Sequence, residues 1–328
     1  MHCYPSVSVV MALYNPDPVY LKIAVVSILG QSVPVHELVL VNDGGDISII
    51  ESSLPVDGRI MIYSKKNSGV ADTRNYAISK CSGDFIAFLD QDDYWYKDKI
   101  GEQLSLIPGR PDHLCMVVSP VDIVDASGAI RLENTNMSLS TYKVKSSQKS
   151  SLRSLIADNY IYSSTPLVHR SIFEALGGFD PKVQPHDDWE MYLRIAIAGY
   201  PLYFGERALS VWRVHGNNES NRVDLMQRSM CRVYRKLLPV IQDKSSRRLF
   251  LFRSLLTTMN RSGALLYKRG RYRLYRKHVG KALSLAVQNL PPINGADSSL
   301  LLWEFRDNFS SLIKSIRRYM VSFLRRSN

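Results

Sequence analysis

The sequence predicts an α/β fold, with a mostly parallel central sheet flanked by helices, followed by an α-helical C-terminal region. Three observations predict it. Apolar, β-branched runs alternate with helix-spaced segments over short connections, as in a parallel sheet wrapped by helices. Aspartates stand where two of those runs end. Charge also divides the chain. Residues 1–220 hold 19 Lys+Arg against 25 Asp+Glu, and residues 221–328 hold 23 against 5. A slightly acidic body thus precedes a tail of formal charge +18, and we place the boundary between 1–222 and 223–328.

The elements follow in order. "SVSVVMALYN" (6–15) is a strand that stops at the turn signal Asn15-Pro16. "VYLKIAVVSILGQS" (19–32) is a helix with Leu21, Val25 and Ile28 on one side, ending near Gly30. "ELVLVNDGG" (37–45) is a strand running into Asp43, and "RIMIYSKKNSG" (59–69) is another. "VADTRNYAISKCSG" (70–83) is a helix closed by Gly83, and "DFIAFLDQDD" (84–93) a strand. Ligands of such sheets bind beyond the carboxyl ends of the strands, so Asp43 and the 90–93 cluster share one crevice.

Composition narrows the class. With 45% hydrophobic and 22% charged residues, the chain can bury a sizeable core. Cys3, Cys81, Cys115 and Cys231 form no C-x-x-C pair, which leaves reduced thiols in a cytoplasmic protein as the expectation. The apolar start lacks a basic n-region, and no run of about 20 apolar residues occurs. Asp90, Asp92 and Asp93 crowd four positions. A solvated loop is one reading. A Mg²⁺ or Mn²⁺ site completed by phosphates is the other, because clustered carboxylates repel without a cation. An EF-hand is excluded: the segment lacks the required Gly and Glu.

Six segments, in order over residues 5 to 222, resemble family 2 glycosyltransferases, inverting enzymes with the GT-A nucleotide-sugar-binding fold. They are "VSVVMALYN", "LVLVNDGG", "KNSGVADTRN", "FLDQDD", "GGFDPKVQPHDDWEMYLRIAIAGY" and "VWRVHGNNES". Three departures stand out. Asp43-Gly44-Gly45 replaces Asp-Gly-Ser, Thr73 stands where Ala is usual, and Asp187-Asp188 replaces Glu-Asp.

The resemblance implies roles. Ala12, Tyr14 and Asn15 form the loop that grips the nucleotide, and Asp43 binds its base. Arg74 faces the nucleotide; a surface Arg on an amphipathic helix is the plainer reading. Asp92 binds Mn²⁺ or Mg²⁺, and Asp90 takes ribose or metal. Asp93 shares the motif or caps the next segment. Asp188 is the general base, with Asp187 and Trp189 on the acceptor side. Against that, both carboxylates sit where helix caps are favoured, and Trp189 suits a core as well as a sugar. Arg213 and His215 reach a phosphate or the metal from a loop that folds over the donor.

The resemblance therefore implies a metal-dependent inverting glycosyltransferase of surface polysaccharide biosynthesis. Its partners would be a nucleotide-sugar donor, UDP or dTDP type favoured, and a saccharide acceptor, free or lipid-linked. A non-catalytic scaffold of the same fold is the alternative. The basic tail reads as a packed helical region or as an amphipathic surface on anionic lipid, with a stripe from Phe305 to Phe323. The second reading would place the protein at the inner face of the membrane. Nucleic acid is not expected, because no reader motif accompanies the charge.

Overall fold

The computed structural model describes residues 4–108, 113–135, 148–157, 159–216, 218–251, 253–254 and 257. In chain order the elements begin β1 (Val7–Leu13), α1 (Pro18–Leu29), β2 (Glu37–Asn42), α2 (Ile47–Ser53), β3 (Ile60–Ser64), α3 (Val70–Ile78) and β4 (Phe85–Phe88). They continue with β5 (Tyr94–Trp95), α4 (Lys99–Ser105), β6 (Met116–Val118), β7 (Val121–Asp125), β8 (Ile130–Thr135) and α5 (Gln148–Ala157). The last are β9 (Leu167–His169), α6 (Arg170–Leu176), α7 (Asp187–Ile197), β10 (Leu202–Phe204), β11 (Ser210–Val214) and α8 (Val223–Leu237).

The main sheet has the order β10-β6-β9-β4-β1-β2-β3. Strands β4, β1, β2 and β3 run parallel, as do β10 and β6, and only β9 runs against its neighbours. Parallel strands with both faces covered read as continuous apolar runs, and all six residues of β2 are buried. Successive residues of a strand point to opposite faces. Val10, Val39, Val41, Ile86 and Phe88 accordingly enter one core layer, whereas Val9, Met11, Leu38, Leu40 and Ala87 enter the other. The second layer is closed by α1 through Leu21, Ala24, Val25 and Ile28. Asp17 caps that helix by accepting from Val19 N at 2.9 Å, with Pro18 in its first turn.

Two expectations change. The helix predicted over 70–83 ends at Ile78. Ser82 N instead donates to Glu37 Oε1 at 2.6 Å, and Gly83 N to Ser8 Oγ at 2.9 Å. A Cβ on Gly83 would stand 2.8 Å from Ser8 N, so this glycine serves a close approach to β1 and is not a helix cap. A second sheet, β5-β11-β7-β8, is also unforeseen. Its pairing of Trp95 with Ser210 joins segments too distant for local pattern to reveal.

The charge boundary at 222/223 is not a break in packing. Val233, Tyr234, Leu237, Ile241, Leu249 and Phe250 belong to the same core layer as Trp189 and Met191. On the polar side, Ser229 Oγ donates to Val183 O and accepts from His186 N. Arg232 Nη2 donates to Gln184 O at 2.9 Å, and Lys236 Nζ reaches Asp180 at 2.6 Å and Glu190 at 2.8 Å. Helix α8 therefore braces the segment 180–186 that leads into α7. The stripe from Phe305 to Phe323 lies outside the described residues. Among the described residues, no helix is long and apolar enough to cross a membrane.

Replacing Leu237 by Ala should lower the unfolding free energy by about 3 kcal/mol, as deletion of a buried leucine side chain does. Urea denaturation measures it. A change near zero would make α8 an appendage.

Candidate active site

The carboxyl ends of β2, β1 and β4 deliver Asp43, Ala12 to Tyr14, and Asp90 to Asp93 to one side of the sheet. A cavity of about 410 Å³ opens there. Ala12, Tyr14, Asp43 and Arg74 line it, as do Asp90, Asp92, Asp187 and Asp188. Asn15, Trp189, Arg213 and His215 are not part of its lining.

Asp43 is buried and holds the loop that follows β3. It accepts from Lys65 Nζ at 2.7 Å, Ser68 N at 3.0 Å and Gly69 N at 2.9 Å. Burial opposes its charge, yet Lys65 and the two amides hold the carboxyl below its ordinary range. One departure from the family pattern belongs to this network, and another lies beside it. Thr73 Oγ1 donates to Gly69 O at 2.9 Å and accepts from Lys65 Nζ at 3.4 Å. A Cβ on Gly45 would lie 2.9 Å from Asn15 N, so the usual Ser cannot fit. Asn15 itself takes φ +43°, a left-handed conformation that asparagine tolerates. It shapes the turn from outside the cavity, which differs from the expected nucleotide contact. Tyr14 is pinned to Gln91 by reciprocal bonds, Tyr14 N to Oε1 at 2.9 Å and Nε2 to Tyr14 O at 3.2 Å.

The buried Arg74 was expected to face the nucleotide. It lines the cavity, and its guanidinium joins two motifs, with Nη2 on Asp90 Oδ1 at 2.8 Å and Nη1 on Asp187 Oδ2 at 3.2 Å. Burial disfavours its charge, but Asp90 and Asp187 raise its pKa. Asp90 Oδ2 also accepts from Ser163 Oγ, so both oxygens of Asp90 have protein partners. Asp92 is different. Its carboxylate meets His215 Nε2 at 2.7 Å, and burial together with Asp90 raises its pKa. Asp93 is no cap of the next segment. It is buried, accepts from Ser164 Oγ at 2.5 Å and Arg213 N at 3.0 Å, and so ties β11 to the aspartate turn. Arg213 is also turned inward. Its guanidinium lies 4.4 Å from the Tyr20 ring centre and donates to Asp92 O at 3.1 Å. The expected phosphate contact is thus replaced by a structural clasp.

At the start of α7 the two neighbouring carboxylates part company. Asp187 is fully buried and bound to Arg74, which makes it a support and not an acceptor ligand. Asp188 is half-buried, and its one hydrogen bond among the described residues comes from Trp189 N at 2.6 Å. Burial, then the charge of Asp187, push its pKa up to about 7. Neither residue caps α7, since His186 occupies that position. Trp189 is 2% exposed. Its Nε1 donates to Leu155 O at 2.8 Å and its ring meets Tyr234 edge-on, so it belongs to the core and offers no face to a sugar.

Sequence reasoning missed Lys65, Ser163, Ser164 and Glu219. The serines precede β9, and only the antiparallel pairing of β9 with β4 brings them to the aspartates. Glu219 lines the cavity from a 3₁₀ turn, with its pKa raised by burial and by Asp187. Among the described residues, seven carboxylates line the cavity against the single guanidinium of Arg74. The cavity is thus strongly acidic, and burial raises the pKa of several of its carboxyls, Asp92, Asp188 and Glu219 among them.

Comparison with known proteins agrees. A glycosyltransferase of Rickettsia felis is 28% identical over 225 residues, covering 67% of this chain and 36% of its own. This chain thus spans little more than a third of that relative. A Bacillus subtilis glycosyltransferase named for teichuronic acid biosynthesis, TuaG, is 39% identical over 110 residues, 32% of this chain and 43% of its own. The structure of Staphylococcus aureus TarS 1–349 in complex with UDP-GlcNAc superposes with a TM-score of 0.62 at 16% identity, covering 87% of this chain and 82% of that one. The fold is therefore GT-A. A family model described as "Glycosyl transferase family 2" matches residues 8–174, half of the sequence: the chain belongs to glycosyltransferase family 2.

Proposed function

We propose that the chain is an inverting glycosyltransferase that moves a sugar from a UDP or dTDP donor to a saccharide acceptor in making a bacterial surface polysaccharide. The observation that carries this reading is the contrast between Asp187, locked by Arg74, and Asp188, an unpaired carboxylate in the same cavity as Asp43 and Asp92. TuaG, by its name, and the UDP-GlcNAc complex of TarS support the substrate classes.

In this reading the nucleotide base lies toward Asp43 and the sugar toward the aspartate turn. Asp188 takes the proton of the acceptor hydroxyl while the acceptor oxygen bonds to C1. The bond from C1 to the diphosphate breaks on the opposite face, so the anomeric configuration inverts. Asp188 then returns its proton to solvent.

The residues fit a divalent cation. Asp92 and His215 are in contact, with Nε2 2.7 Å from Asp92 Oδ2, and a carboxylate and an imidazole are both ligand types for divalent metals. Among the described residues no three ligating groups converge, so a Mg²⁺ or Mn²⁺ ion here would need phosphate oxygens to complete its shell. Bound by Asp92 and His215, the ion would supply positive charge against the leaving diphosphate.

Three outcomes test this. Nucleoside diphosphate release from UDP-sugars should cease in EDTA and return with Mn²⁺, and Asp92→Ala should weaken UDP binding about tenfold by calorimetry. Activity untouched by EDTA would remove the metal, and absence of release from every UDP- or dTDP-sugar would favour the scaffold. Asp188→Asn should lower kcat by about 10²–10⁴, the usual share of a general base, without changing donor affinity.

The third outcome is a pH profile. Because Asp188 must be ionised to act, kcat should rise through about pH 7 and level off above it. The sign for stability is opposite. A carboxyl whose pKa rises on folding favours the folded chain when protonated, and that contribution is lost as pH rises to about 7. Asp188→Asn should therefore be at least as stable as the parent at pH 8, which thermal unfolding measures.

A further inference from the structure

The order of the sheet gives the cavity two flanks. Along the carboxyl edge come β2 with Asp43, β1 with Tyr14, and β4 with the aspartate turn. The next strand, β9, is antiparallel to β4, so the segment 159–165 that leads into it lies at that same edge. This flank is separated from the Asp43 end by the aspartates. The 163–165 stretch is firmly held. Ser164 O accepts from Trp95 Nε1 at 2.9 Å and Ser210 Oγ at 3.0 Å, and Thr165 O from the buried Lys99 Nζ at 3.1 Å.

That anchored segment presents Tyr162 to the cavity, and β11 presents Trp212. Their rings lie 5.1 Å apart with a 41° tilt. Arg213, next along β11, turns the other way onto Tyr20. Two further residues of the lining carry buried polar atoms with no hydrogen-bond partner among the described residues: Asn159 Oδ1 and His186 Nδ1. An unpartnered buried polar atom is costly, and an aromatic wall with a few polar groups is how ligand cavities orient their occupants. A pyranose has the matching surface, a C–H face for the rings and a rim of hydroxyls for the polar atoms. Among the described residues, the one guanidinium that lines the cavity is held by Asp90 and Asp187, so an anionic group at this flank would meet carboxylates and no unpaired basic side chain.

We propose that Tyr162, Trp212 and Asn159 form the acceptor subsite, and that it takes an uncharged sugar residue. This rests on the transferase reading and names what the acceptor hydroxyl is attached to.

Saturation-transfer NMR on the full chain with UDP and diamagnetic Mg²⁺ tests it. The probes are methyl β-glucoside, methyl β-galactoside, methyl β-N-acetylglucosaminide and methyl β-glucuronide. At least one neutral glycoside should receive saturation at its ring protons, and the glucuronide none. Tyr162→Ala, Trp212→Ala and Asn159→Ala should each weaken that glycoside at least fivefold with UDP affinity unchanged, whereas Tyr162→Phe, which keeps the ring face, should retain it. Retained UDP binding also shows that a variant is folded. Equal glycoside binding by parent and all three alanine variants, preference for the glucuronide, or UDP binding with no glycoside bound would each overturn the subsite alone. A parent that binds neither UDP nor any glycoside would overturn the transferase reading with it.

Discussion

The buried guanidinium of Arg74 is the interaction on which the site depends. It joins Asp90, sixteen residues away, to Asp187, more than a hundred residues away. Removing one partner of a buried ion pair costs about 3–5 kcal/mol, because the survivor is left as an uncompensated charge. Here the survivors would be two carboxylates already crowded by Asp92, Asp93, Asp188 and Glu219. The pair also separates two neighbours: Arg74 binds Asp187 directly, whereas the hydrogen bond to Asp188 among the described residues comes from Trp189 N.

Rigidity behind Asp188 comes from the opposite side. Ser229, Arg232 and Lys236 of α8 hold the segment 180–186 through backbone carbonyls, an amide and Asp180. Trp189 and Tyr234 lock the two helices edge to face. The strongly basic region thus begins as part of the same packed body. Charge composition and packing draw different boundaries because long-range charge need not follow the core.

The departures from the family pattern are local accommodations. Gly45 makes room for Asn15 in its left-handed turn, and Thr73 adds a hydroxyl to the Lys65–Asp43 network. Asp at 187, one methylene shorter than Glu, still reaches Arg74 at 3.2 Å. Each change is compensated by a neighbour on another element, so the site keeps its charges while its detail shifts.

Read alone, the sequence determined the alternation of β1, α1, β2, β3, α3 and β4, because apolar period and turn residues are local signals. It also determined the carboxylates at the strand ends, because a parallel sheet puts them on one side. The roles of single side chains were decided by the tertiary structure. Trp189 went to the core and Trp212 to the cavity, although both are tryptophans beside charged residues. Arg74 and Arg213 turned to protein partners, and Asp188 and Asp187 separated into free and bound carboxylates. These outcomes depend on which distant segment packs opposite, as β9 brings Ser163 to Asp90 and α8 covers Trp189. Contacts between such distant segments leave no periodic trace in either one, so only the folded chain could assign them.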